Sequence, residues 1–244
     1  LWGRLISVVD EAAGTLARTS FSTIVKESND YACILLDSRG DSLANNTASI
    51  PSFIATLPRT MKHFLKVYPP NQWQPGDVIM TNDPWLASGH LPDITMAMPV
   101  FHKGKLVAFA GTIAHSPDIG GSIWSADARE LFEEGIRIPP LKLYENGQPN
   151  STLMNMIRAN VRVPEMVIGD LHAQIMAQTI GRNRLIEFLE EYEIDDLTDL
   201  SEVIQKKTET LMRQAISEVP DGVYEKTVEM DGFESNEGVI LVAA

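Results

Sequence analysis

Residues Gly89–Gly121 read GHLPDITMAMPVFHKGKLVAFAGTIAHSPDIGG, and the way this stretch pairs with itself decides the fold. Two apolar runs, Asp93–Phe101 and Lys105–His115, flank His102-Lys103-Gly104. Glycine tolerates positive φ, so the stretch predicts a β-hairpin with a tight turn. With Lys103-Gly104 as a two-residue turn, the ladder sets Asp93 opposite Ala114. Asp93 and His115 then meet at the open end, and His90 lies just outside it. Two imidazoles and one carboxylate at one point suit Mn, Fe or Zn and leave coordination positions for water or substrate. A slip of one residue decides whether Asp93 and His115 share a face. Spacing therefore leaves the metal reading open beside a plainer one in which the histidines are structural. His102, at the turn tip, is expected to be solvated.

Two neighbouring segments bear on the same end of the hairpin. Asn82-Asp83-Pro84 offers a further carboxylate, either as a ligand or orienting group or as a turn former before proline. Asp118-Ile119-Gly120-Gly121-Ser122 reads either as a backbone N–H nest for an anion or as a plain glycine turn.

Working outward, a helix is expected to about Ser20, then the strand YACILLD, a turn at Ser38–Asp41 and a hairpin continuing into SLA. Apolar residues at helical spacing predict a helix from Ser52 to Tyr68, ended by Pro69-Pro70, and the strand DVIMTND follows Pro75-Gly76. Three helices come next, over Ser151–Asn160, Pro164 to about Tyr192, and Leu200–Val219. The tail returns to strands about an Asp231-Gly232 turn. Residues 1–145 are thus mainly strands with two helices and the site, 146–220 are helical, and 221–244 begin a further β region. Strands, then helices, then strands make an α+β fold of mixed or antiparallel hairpins with a helical second half. In the long helix, Ile175, Met176, Thr179 and Ile180 read as core, whereas His63 and His172 read as helix-surface residues.

Composition narrows the function classes. The chain has 244 residues, 44% of them hydrophobic, and a net charge of −13. That balance opposes a phosphate-tracking surface, so nucleic acid is not an expected partner. No apolar run approaches the roughly 20 residues a bilayer requires, and no membrane association is expected. Cys33 is the one cysteine and sits in an apolar run, which excludes a disulfide framework and fits a reducing cytoplasm. The sequons at Asn45 and Asn150 are then incidental. There is no Walker-type phosphate loop, dinucleotide fingerprint, H-E-x-x-H helix or nucleophile elbow, so nucleotide chemistry would come from another polypeptide.

The runs TNDPWLASGHLPDITMAMPVF, AHSPDIGG, EGIRIPPLKLY, NVRVPE and GDLHAQIMAQTIGRNRLIEF, with SFSTIVKESNDYACILLDSRGDSLA near the start, resemble the hydantoinase B/oxoprolinase family. That family includes the B components of ATP-dependent hydantoinases, the C-terminal part of 5-oxoprolinases, and alpha subunits of acetone and acetophenone carboxylases. The resemblance spans nearly the whole chain and corresponds to the N-terminal portion of a longer catalytic subunit, in keeping with a sequence that starts at Leu1 and stops inside GVILVAA. It implies that His90, Asp93 and His115 bind a divalent transition metal, with manganese favoured by the carboxylases. Many hydantoinase-like members carry a second histidine after the first in the A-H motif, but this chain has Ser116, so no role of a second imidazole carries over.

The resemblance further implies a hydantoinase A-like partner subunit or domain, an actin-like ATPase that spends ATP on phosphorylating an unreactive carbonyl. The metal-bearing subunit would complete the reaction, with Asp118 or Asp83 as proton acceptor. The expected function is ATP-coupled hydrolysis of a cyclic amide of the hydantoin, N-methylhydantoin or 5-oxoproline kind. The alternatives are the alpha subunit of an ATP-dependent ketone carboxylase and a non-catalytic scaffold that docks the ATPase.

Overall fold

The computed structural model describes residues 1–122, 128–230 and 239–243. Helix α1 (Trp2–Thr19) forms because Leu5, Val8, Val9, Ala12, Ala13 and Leu16 recur at three- and four-residue spacing and bury one stripe. The single turn α2 (Thr23–Lys26) is capped by the Ser22 hydroxyl. Strands β1 (Tyr31–Asp37) and β2 (Ser42–Asn45) form the expected hairpin. Helix α3 (Pro51–Val67), strand β3 (Val78–Thr81) and the hairpin β4 (Asp93–His102) and β5 (Lys105–His115) follow. After the one-turn α4 (Leu131–Glu134) come β6 (Leu141–Glu145) and β7 (Gln148–Pro149). Helices α5 (Ser151–Asn160), α6 (Pro164–Glu191) and α7 (Thr198–Ser217) complete the helical second half. A separate ribbon pairs β8 (Lys226–Met230) with β9 (Val239–Ala243). The Asp231-Gly232 turn lies outside the described residues.

The architecture is α+β. One antiparallel sheet of seven strands runs in the order β2-β1-β5-β4-β3-β6-β7. Its central strands are covered on both faces, which side-chain alternation makes visible. In β1, Tyr31, Cys33 and Leu35 join the cluster beneath α1 and α6. Ala32, Ile34 and Leu36 join the cluster beneath α3. Further along the sheet, Ile94, Met96 and Met98 of β4 meet α5 and the first half of α6. Cys33 is fully buried, and burial pushes its thiol pKa far up, as suits a small core hydrophobe. Among the described residues no helix is long and apolar enough to cross a membrane.

The hairpin register departs from the expected one. Lys103 and Gly104 both have positive φ, 49° and 78°, and form the two-residue turn. His102 pairs with Lys105 and Phe101 with Leu106, but Val100 pairs with Ala108. Val107 is therefore an extra residue in β5, a β-bulge that displaces every later pairing by one. Asp93 consequently lies opposite His115 rather than Ala114.

Two other readings are corrected. His102 is buried, not solvated, because the hairpin tip docks on the α6–α7 connection through Lys103–Asp195 and Lys105–Asp196 ion pairs at 2.6 and 2.5 Å. In α6, Met176 is exposed, and Ile175, Thr179 and Ile180 are only half-buried. Over this middle stretch the helix instead buries the small residues Ala173, Ala177 and Gly181 with two amides, Gln174 and Gln178. Small side chains let it approach both α1 and the sheet: a Cβ on Gly181 would sit 3.7 Å from Ala12 of α1 and 3.8 Å from Ala110 of β5. The Thr112 hydroxyl donates to Gln174 Oε1 and accepts from Gln178 Nε2, both at 2.9 Å. Thr112→Val would keep the shape but leave two buried amide groups unpaired. A loss of about 1–3 kcal/mol is expected, read from urea unfolding.

Candidate metal centre

Three segments bring the site together. Alternation places Asp93, at the start of β4, and His115, at the end of β5, on the α3 face with Ala97, Phe109 and Ile113. Residues opposite one another in an antiparallel pair point the same way, so the bulge at Val107 is what aims both side chains at one spot. His90 enters from the loop after β3, following Gly89 at φ 106°.

Both imidazoles converge on one carboxylate. His90 Nε2 lies 2.7 Å from Asp93 Oδ2, and His115 Nδ1 lies 3.1 Å from Asp93 Oδ1. The ring centroids are 5.2 Å apart, and the three donor atoms lie within 4.8 Å of one another. Asp93 is buried and His90 is half exposed, so the group has a protein side and an open side. Burial pushes the Asp93 pKa upward, but hydrogen bonds from His115 and His90 outweigh it and hold the carboxyl at about 2. The same bond to Asp93 raises the pKa of His90 against the opposing effect of its own burial. Two nitrogens and a carboxylate aimed at a common point form a donor set that fits a divalent transition metal.

A fourth group, Asp30, stands beside these three. The β1–β5 pairing carries it next to His115: the His115 amide donates to the Asp30 carbonyl at 3.1 Å, and the Asp30 carboxylate lies 3.7 Å from His115 Nδ1. Burial raises the Asp30 pKa. Nothing local marks Asp30 in the sequence; the signal is the pairing of two strands distant along the chain.

The two carboxylates expected as proton acceptors lie outside this group. Asp83 is a turn former: its Oδ1 accepts from the Trp85 amide at 3.1 Å, and Arg137 sits 3.8 Å from Oδ2. The Asp118 carboxylate is taken up by the Gly120 amide and the Arg162 guanidinium, both at 2.9 Å, and by the Arg162 amide. The Gly120–Gly121 stretch is therefore a turn closed by its own aspartate rather than an open anion nest. Ser116 is buried and structural, its amide donating to the Pro92 carbonyl at 2.8 Å and its hydroxyl to the Asp118 carbonyl at 3.0 Å.

Comparison with known proteins agrees with this arrangement of elements. The chain matches the hydantoinase B/oxoprolinase family over residues 1–242 and belongs to that family. It is 36% identical over 237 residues to a protein assigned as the B component of a D-/L-hydantoinase from Pseudomonas sp. (strain NS671), covering 95% of this chain and 40% of that one. It is 32% identical to the beta subunit of the Pseudomonas jessenii caprolactamase, over 99% of this chain and 42% of that one. The crystal structure of the ATP-dependent caprolactamase from Pseudomonas jessenii superposes with a TM-score of 0.85 and 31% identity, covering 98% of this chain and 44% of that chain. Nucleotide-free acetone carboxylase, at 22% identity and a TM-score of 0.73 over 82% of this chain and 26% of that chain, shares the fold. The chain thus spans less than half the length of these relatives.

The Asp118 clamp has a checkable pH signature. Although burial opposes it, hydrogen bonds from Arg162 and Gly120 and the Arg162 charge hold the Asp118 pKa below its ordinary value. Its contribution to stability is complete above the unfolded-state pKa of about 3.9 and is lost as pH falls through the lower folded value. Asp118→Asn is expected to cost about 1–3 kcal/mol at pH 7. In urea unfolding, the gap from wild type should narrow as the pH drops below about 4.

Proposed function

We propose that His90, Asp93 and His115 hold one divalent transition metal, of the Mn, Zn or Fe kind, with the Asp30 carboxylate adding negative charge beside them. On this reading the chain is the metal-bearing part of an ATP-coupled enzyme that opens a cyclic amide. The observation that carries the proposal is the convergence of two imidazole nitrogens on the Asp93 carboxylate at 2.7 and 3.1 Å. Kinship with a hydantoinase B component and a caprolactamase beta subunit supports the substrate class, since both names denote action on cyclic amides.

The chemistry follows from the difficulty of the substrate. A lactam or hydantoin carbonyl is stabilised by resonance with its nitrogen, and phosphorylating its oxygen supplies a better leaving group. This sequence has no phosphate loop, so that step falls to an ATPase partner subunit or domain of the hydantoinase A type. When bound, the metal supplies Lewis acidity and lowers the pKa of a coordinated water toward neutrality. The chain's own residues prepare that site. Asp93, kept ionised within the fold, supplies negative charge between the two imidazoles, and half-exposed His90 leaves the outer side open to substrate. Asp30, 3.7 Å from the same His115 Nδ1 that faces Asp93, adds a second negative charge beside the group.

The test uses the full-length enzyme with its ATPase partner. Elemental analysis should find one transition metal per chain. His90→Ala, Asp93→Asn and His115→Ala should each remove it and reduce ATP-dependent amide hydrolysis to background, whereas Asp30→Asn, which removes a negative charge beside the site, should weaken metal binding without abolishing it. A metal-free wild type, with His115→Ala leaving activity untouched, would favour the scaffold reading. Consumption of bicarbonate with a ketone, in place of water with a cyclic amide, would mark a carboxylase.

A further inference from the structure

Asn82 follows β3 directly, is completely buried, and touches none of the three proposed ligands in their hydrogen-bond network. Its side chain nevertheless ties the segment that carries His90 and Asp93 to the Ile136–Ile138 stretch, which contacts the loop after His115. Nδ2 donates to the Leu91 carbonyl and to the Ile136 carbonyl, each at 2.9 Å, and Oδ1 accepts from the Ile138 amide at 2.6 Å. The Asn82 amide donates to the Ile138 carbonyl at 3.2 Å. Both side-chain amide protons are used, and their two carbonyl partners fix which way the group is turned.

Two limbs of this knot lead toward the site. Leu91 is the residue between His90 and Pro92-Asp93. Ile136 donates its amide to the Ile119 carbonyl at 2.8 Å, in the loop that leaves His115. The two sides are also laced directly by the Ser116 amide on the Pro92 carbonyl. One buried amide thus holds the His90 approach and, through Ile136, the His115 exit loop. A carboxylate could not replace it, because an oxygen with no proton to give would then face the Leu91 and Ile136 carbonyl oxygens.

We propose that Asn82 is the positioning residue of the metal centre, setting the spacing of the His90 and His115 ligands through Leu91 and Ile136. This inference rests on the metal reading given above. A site whose supporting hydrogen bonds are lost holds its ligands more loosely and binds its ion more weakly. Coupling of this kind is reciprocal, so a bound metal must in turn stabilise the knot.

The experiment titrates the full-length, metal-stripped enzyme with Co(II) and follows its visible absorption. Asn82→Asp and Asn82→Ala are expected to weaken binding about 10–100-fold and to alter the Co(II) spectrum. Leu185→Ala, a cavity in the core beneath α1 and α6, is expected to lower Tm while leaving affinity within about twofold. A second measurement needs no variant: Co(II) should slow hydrogen exchange at the Ile138 amide, whose partner is Asn82 Oδ1. Folded Asn82 variants with wild-type affinity and spectrum would overturn the inference, as would an Ile138 amide indifferent to metal. Wild-type enzyme that binds no Co(II) would instead overturn the metal reading itself.

Discussion

Val107 has no partner across the β4–β5 ladder, and from that point to the open end of the hairpin every pairing is displaced by one residue. Side chains in a strand alternate faces, so a shift of one position exchanges the residues on the two sides of the sheet. With the bulge, His115 lies directly across from Asp93, and both look toward α3. Without it, Asp93 would oppose Ala114, a residue whose side chain belongs to the α1–α6 cluster. The bulge sits near the turn, far along the strands from the site it governs. Pairing of β5 with β1 over Tyr31–Asp37 keeps the displaced register in place and brings Asp30 to the same corner.

Much of this fold can be read from local patterns. The stripe of α1, the turn at Ser38–Asp41, the hairpin about Lys103-Gly104 and the three late helices all follow from periodicity and turn chemistry, which act over a few residues. A tight turn likewise puts Asp93 and His115 at one end of the hairpin with His90 just outside it, but spacing leaves their common face open, and it is the family resemblance that singles out the trio. What could not be read is non-local. A bulge leaves no composition signature in KLVAF, and Asp30 joins the site only through a neighbour eighty-odd positions away in sequence. His102 looked exposed because a turn tip usually is, and nothing near it announces that the α6–α7 connection lies across it.

Helix α6 shows a different limit. A search for its core looks for large apolar residues, and these are buried at both ends of the helix, but the middle of the buried face is built from alanine, glycine and two glutamines. There the deciding quantity is distance of approach. Thr112 on β5 pairs with one atom of each amide that such close packing buries in the interior. Sequence hydrophobicity fails because the buried face is polar where it is most confined.

The hairpin is anchored by opposite kinds of force at its two extremities. At the tip, Lys103 and Lys105 pair directly with Asp195 and Asp196 at the surface, with the lysine side chains about two-thirds exposed. Mobile ions shield such pairs over a Debye length of about 8 Å at physiological ionic strength. At the other extremity the fastenings are amides and carbonyls sealed from solvent, which dissolved ions scarcely reach. Rising salt concentration therefore loosens the grip of the helical half on the tip while leaving the opposite corner of the same two strands unmoved.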